Sequence, residues 1–279
     1  MKFEKWQALG NDYVIVEGEA LPWELTPERV VRLCTPHFGI GADGILLLAP
    51  PPSGGPVAKL RVFNPDGSEA ELSGNGARQA ALYLRARGWT NADEFAIATA
   101  AGEVRPRIAG PETVSMTLGR AALASPDYPG GPPDGAGKIA IDGREWAFQH
   151  VNVGNPQCVV DAGDEVDRLD LQRLGRRIEI DELFPNRTNV SFVRFSGSDV
   201  RARIFERGAG ETLASGTGAS GAAVAAHLRG AANPVTVRMD GGTLEVEVSD
   251  RLDVVLTGTA EPVFAGELAP GLVEALAAT

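Results

Sequence analysis

The sequence repeats itself, and that repeat constrains the fold more than any local propensity, because both copies must solve the same packing problem. Setting Ser73 over Ser215, an offset of 142 residues, places Arg61 on Arg203, Phe63 on Phe205 and Glu69 on Glu211. The same offset places Gly74 on Gly216, Gly76 on Gly218, Ala77 on Ala219 and Ala80 on Ala222. Upstream, GNDYVIVE at 10–17 falls on GNPQCVVD at 154–161, an offset of 144. Each copy reads as a strand, a Gly-Asn turn, further strands, and a central helix opened by Ser-Gly-x-Gly. The expected fold is α+β: two pseudo-symmetric halves, each a strand-rich, barrel-like sheet around a central helix. Residues 1–118 with 262–279 are expected to form the first half and 119–261 the second, with a cleft between them.

Abundant glycine (34) and proline (19) favour short strands and many turns. Strands are predicted at 2–9, 13–17, 45–49, 59–64, 94–99, 103–108 and 113–118, with a Gly10-Asn11-Asp12 turn between the first two. In the second copy they fall at 138–141, 144–153, 157–161, 189–195, 199–206, 235–239, 243–249 and 253–257. Helices are predicted at 26–34, with Thr26 as N-cap and Pro27 in the first turn, and at 73–87, 169–178 and 215–229. Residues 50–56 read as a hairpin tip. The Pro/Gly-rich stretch 124–137 reads as a surface loop between the halves.

The net charge of −11 argues against nucleic acid and anionic membranes as partners. No run of ~18 apolar residues is present to span a bilayer, and the N-terminus lacks the apolar stretch of a signal peptide. A cytoplasmic protein is expected. Two cysteines, Cys34 and Cys158, and three histidines in no ligand spacing predict no metal site. Both thiols sit among apolar neighbours and are expected to be buried and inert. Residues 39–44 match G-x-G-x-x-G. A strand rather than a helix follows them, which excludes a dinucleotide site.

A helix start presents unpaired backbone N–H groups and a partial positive charge. Glycines there let an anion approach the backbone closely. Each Ser-Gly-x-Gly is therefore a candidate carboxylate or phosphate cradle. Two such starts facing one cleft suit a racemase or epimerase, which removes a proton from one face of a carbon and returns it on the other. The cradle would stabilise the developing carbanion.

The motifs Ala8–Tyr13, 38–44, 63–71, 74–78, Gly154-Asn155-Pro156, Asn189-Val190 and 206–212 occur in order along nearly the whole chain. Together they resemble diaminopimelate epimerase. The resemblance implies a small amino-acid substrate, no pyridoxal phosphate, no metal and a homodimer. It implies that Asn11, Asn64, Asn155 and Asn189 hold the ends of the amino acid. Gly74-Asn75 and Gly216-Thr217 would form the cradle, with Glu206 and Arg207 beside the reacting centre. The planar fork of Arg207 suits a carboxylate.

The two catalytic bases that the resemblance implies are cysteines opening the helices, and here both positions are serine, Ser73 and Ser215. A histidine that supports one of them is replaced by Gln157. A serine hydroxyl is far less acidic than a thiol, so two unassisted serines are poor bases. Three explanations stand at this point. The serines are engineered; or the chain is a divergent member acting on another amino acid, for example as a dehydratase; or it is a silent amino-acid-binding protein.

Overall fold

The runs YVIV at 13–16 and ILLL at 45–48 are apolar at every position, the pattern of strands covered on both faces. The computed structural model describes residues 1–51 and 54–278 and places these runs at the centre of the first of two units, Met1–Met116 with the segment from Gly258 onward. Its elements are β1 (Lys2–Ala8), β2 (Asn11–Glu17), α1 (Pro27–Cys34), β3 (Ile45–Ala49), β4 (Ala58–Phe63), β5 (Glu69–Ala70) and α2 (Gly74–Ala86). They continue with β6 (Ile97–Thr99), β7 (Gly102–Val104) and β8 (Arg107–Gly110), and β9 (Thr113–Arg120) begins in this unit and ends in the next. The second unit, Thr117–Thr257, contains β10 (Ala136–Ile141), β11 (Arg144–Asn152), β12 (Pro156–Asp161), α3 (Leu171–Glu179) and β13 (Asn189–Ser196). It adds β14 (Asp199–Glu206), β15 (Gly210–Thr212), α4 (Gly216–His227), β16 (Val235–Met239), β17 (Gly242–Val248) and β18 (Asp253–Thr259). The chain ends with β19 (Glu261–Glu267) and α5 (Pro270–Ala277).

Strand pairing carries the repeat into three dimensions. In the first unit β1–β2 is antiparallel, β2–β3 parallel, β3–β4 antiparallel and β4–β6 parallel. In the second unit β11–β12, β12–β13, β13–β14 and β14–β16 follow the same sequence of directions. Register agrees as well. Val62 faces Ala70 and Phe63 faces Glu69, while Ile204 faces Thr212 and Phe205 faces Glu211, each pair displaced by 142 residues. The repeated Arg and Glu meet in both copies: Arg61 grips Glu69 through two hydrogen bonds of 2.8 Å, and Arg203 meets Glu211 at 2.5 Å.

Alternation divides the first core. Val14, Val16, Ile45 and Leu47 pack with Val30 and Leu33 of α1 on one face of the sheet, and Ile15, Leu46 and Leu48 pack with Ala77, Ala80 and Ala81 of α2 on the other. In the second unit α4 is buried from Gly218 to Ala226 and lies against β11, β12, β13, β14, β16 and β17. Its small side chains permit that approach: a Cβ on Gly221 would stand 3.0 Å from the Gln157 side chain.

The expected barrels are open mixed sheets around a helix. The first sheet runs β19-β1-β2-β3-β4-β6-β7, so its ends do not meet. The N-terminal turn lies one residue earlier than expected. Leu9 and Gly10, both at positive φ (54° and 83°), form a two-residue hairpin loop, and Asn11 already belongs to β2. The predicted strand 103–108 is broken into β7 and β8, which Pro106 explains because it has no N–H to donate. The predicted hairpin tip at 50–56 lies partly outside the described residues. The stretch 124–137 does not bridge the units. It lies within the second, and Tyr128 anchors it there, packed against Phe148, Phe184 and His150 at centroid distances of 5.4–5.5 Å. The loop 39–44 owes its glycines to packing: a Cβ on Gly39 would meet the Arg32 carbonyl oxygen at 2.1 Å, and one on Gly44 the Phe63 carbonyl oxygen at 2.3 Å.

Candidate active site

Ser73 and Ser215 are N-caps, as their position before Gly-x-Gly predicts. Ser73 Oγ accepts from the Gly76 N–H at 3.0 Å, and Ser215 Oγ from the Gly218 N–H at 3.3 Å. Each serine thus satisfies the third amide of its helix. The first two, Gly74-Asn75 and Gly216-Thr217, precede the first intrahelical acceptor and suit an anion. A Cβ on Gly74 would meet nothing within 4 Å, so the helix start is uncrowded at that residue.

In the first unit the side chains form one hydrogen-bonded chain. Asn75 Nδ2 donates to Asn11 Oδ1 at 3.2 Å, and Asn11 Nδ2 donates to Asp43 Oδ2 at 3.0 Å. Arg78 Nη2 donates to Asn75 Oδ1 at 2.7 Å, which fixes the way the Asn75 amide faces. Tyr13 donates its hydroxyl to Ser73 Oγ at 3.2 Å. Asn64 is not brought into this set. It closes its own turn, donating to Ser68 Oγ at 2.9 Å. Arg78 is fully buried, and burial alone pulls its guanidinium down from 12.5 to about 10.

The second unit repeats part of the arrangement at matching positions. Asn155 Nδ2 donates to Thr217 Oγ1 at 3.3 Å, the counterpart of the Asn11–Asn75 contact. Gln157, fully buried, donates to Asn155 Oδ1 at 2.7 Å and takes the orienting part that Arg78 plays in the other unit. Ser215 donates to Glu206 Oε2 at 3.0 Å. Asn189 joins through its oxygen, which accepts the Arg207 backbone N–H at 2.9 Å. The Arg207 side chain is exposed and tied at one corner, Nη1 donating to the Asn186 carbonyl at 3.0 Å. Beneath the turn, the buried Glu179 accepts the Gly208 N–H at 3.0 Å and pairs with Arg176 at 2.7 Å.

Four contributors escape sequence reasoning: Tyr13, Asp43, Arg78 and Glu179. Tyr13, Asp43 and Arg78 lie inside recognisable motifs, so a signal existed for their importance but none for their partners. Glu179 is the last residue of an amphipathic helix and carries no local signal. Both cysteines are buried as expected. Burial, with Asp12 and Asp43 adding to it, pushes the Cys34 thiol up to about 12, and burial pushes Cys158 well above its ordinary value. Neither thiol supplies a base. Among the described residues no group of His, Cys, Asp and Glu is placed to hold a metal ion, and no helix is long and apolar enough to cross a membrane.

The sequence matches the family profile described as diaminopimelate epimerase over residues 3–124 and 149–263. A diaminopimelate epimerase of Synechococcus sp. (strain JA-3-3Ab) is 41% identical over 281 residues, covering 96% of this chain and 98% of that protein. One from Pelotomaculum thermopropionicum is 39% identical over 278 residues, covering 96% and 98%. The fold alone also matches the phenazine biosynthesis protein, PhzF family, of Bacillus anthracis (TM-score 0.66, 17% identity, 96% and 99% covered). Sequence and architecture agree, and the chain belongs to the diaminopimelate epimerase family.

Proposed function

We propose that this protein is an amino-acid isomerase that interconverts LL- and meso-diaminopimelate by proton transfer at an α-carbon. The observation that carries the reading is the duplicated helix start. Two N-capped helices present glycine amides, and each is flanked by an asparagine hydrogen-bonded to its second residue, Asn11 to Asn75 and Asn155 to Thr217. Amides aimed at a carboxylate favour the charge that develops when the α-proton leaves. Asn64 and Asn189, with Arg207, would hold the remaining polar groups of the substrate. Ser73, Ser215 and Glu206 are the groups at the reacting centre. On the family resemblance the working unit is a homodimer, which sedimentation would check.

A second reading has a specific observation behind it. Both helix-opening residues are hydroxyls, and the two thiols of the chain are buried elsewhere. A silent amino-acid-binding protein would keep the cradle and lack turnover. Incubation with diaminopimelate in heavy water separates the two. Deuterium at the α-carbon above the uncatalysed background supports the isomerase, and binding without any label supports the silent protein.

A further inference from the structure

The repeat makes the two helix starts comparable position by position, and one position differs in kind. At the offset of 142 that sets Ser215 over Ser73, Glu206 falls on Asn64. Glu206 closes β14, and Asn64 directly follows β4. In the second unit the Glu206 carboxylate accepts the Ser215 hydroxyl at 3.0 Å. In the first unit the Asn64 amide donates to Ser68, and Ser73 Oγ accepts from the Tyr13 hydroxyl at 3.2 Å and from the Gly76 amide at 3.0 Å. No carboxylate or imidazole hydrogen-bonds Ser73 among the described residues. An ionised carboxylate accepts protons, whereas an amide, a serine hydroxyl and a phenol keep theirs near neutral pH.

We propose that proton transfer in this protein is one-sided. Glu206 is the base that takes the α-proton, Ser215 positions it, and the Ser73 side has no base with which to complete inversion. This rests on the reading above for substrate, cradle and α-proton transfer, and narrows it: exchange at one face is the main reaction, and conversion between the isomers is its slow accompaniment.

The step balances without a co-reactant. A Glu206 carboxylate oxygen takes the α-proton, and the electron pair of the C–H bond stays on carbon. It delocalises into the substrate carboxylate, whose charge the helix-start amides stabilise. The protonated Glu206 trades its proton with solvent and returns a deuteron to the face it came from. The product is labelled and keeps its configuration. Carboxylates serve as carbon bases in other isomerases, so the role needs no unusual chemistry. Inversion would require Ser73 or Tyr13 to give up a proton to carbon and remain as an oxyanion, and in reverse to act as a base.

The test uses the full chain with each diaminopimelate isomer in heavy water. Loss of the α-proton signal gives exchange, and chiral separation gives inversion. Exchange is expected to outrun inversion by roughly 100-fold or more, the scale of one general acid–base group. E206Q should lower exchange by about 10²–10⁴-fold, and E206D should recover part of it. S215A should lower exchange only about tenfold, the worth of one hydrogen bond. S73C should raise the ratio of inversion to exchange towards one, because it supplies a base where none stands, and S215C should not. Inversion as fast as exchange in the parent chain would overturn the proposal and leave the isomerase reading intact. So would undiminished exchange in E206Q, or a ratio raised equally by S215C. Absence of label from every isomer would overturn both.

Discussion

Replacing Arg78 by methionine should stabilise the protein while weakening ligand binding. Arg78 lies in the second turn of α2 with no exposed surface, and among the described residues no carboxylate pairs with it. Nη2 donates to Asn75, Nε reaches the Thr259 carbonyl only at 3.5 Å, and Nη1 has no hydrogen-bond partner. Burial pulls the group down from 12.5 to about 10. At ~1.4 kcal/mol per pKa unit, the folded state carries a penalty on the order of 3 kcal/mol. The sign is definite: the charged form is disfavoured on folding, so the penalty is complete below pH 10 and fades only as pH rises through 10 towards 12.5. Methionine fills similar space, removes the charge and forfeits the charge-assisted hydrogen bond to Asn75, worth about 2 kcal/mol, with the long and weak one to Thr259. The net gain is about 1 kcal/mol, or a rise in melting temperature of roughly 2–4 °C. Asn75 then loses the donor that fixes its amide, so diaminopimelate should protect R78M less than the parent in a thermal-shift titration. A melting temperature below that of the parent would refute the reasoning, because the buried charge would then be compensated.

Glu179→Ala leaves the Gly208 N–H without its acceptor and removes the partner of the half-exposed Arg176, and should cost about 1–2 kcal/mol. Glu179→Gln, which keeps an acceptor there, should cost less, as read from urea midpoints. Gly44→Ala drives a Cβ to 2.3 Å from the Phe63 carbonyl oxygen and 2.7 Å from the Tyr13 ring. It should lower stability by about 3 kcal/mol, and near-wild-type denaturation would show that the loop yields. Burial lowers the His150 imidazole below its ordinary 6.5, against a smaller opposing pull from Asp127. Below pH 6.5 the unfolded chain therefore gains a proton before the folded one does, and stability falls as the solution is acidified. His150→Gln should flatten that slope between pH 7 and 5.5. With Cys34 at about 12 and Cys158 higher still, neither thiol should react with Ellman's reagent until the protein is unfolded.

The sequence by itself determined the duplication, the two helix starts and most strands, because these are local or self-comparing properties. A serine three residues before an amide caps it through geometry that neighbouring residues set, as at Ser73 and Gly76. Unbroken apolar runs at 13–16 and 45–48 name strands covered on both faces without reference to anything distant. The strand at Glu261–Glu267 was not legible, because its exposed residues carry no burial pattern and its place comes from pairing with Lys2–Gln7 across the length of the chain. Closure of the sheets was likewise a tertiary matter, decided by which strands end without neighbours. So was the seat of the 124–137 loop, which one aromatic ring fixes. The same division runs through the site. That Ser73 and Ser215 open equivalent helices is written in the repeat. That one rests on a phenol and the other on a carboxylate depends on β2 and β14 passing each serine at hydrogen-bonding distance, and only the fold sets that distance.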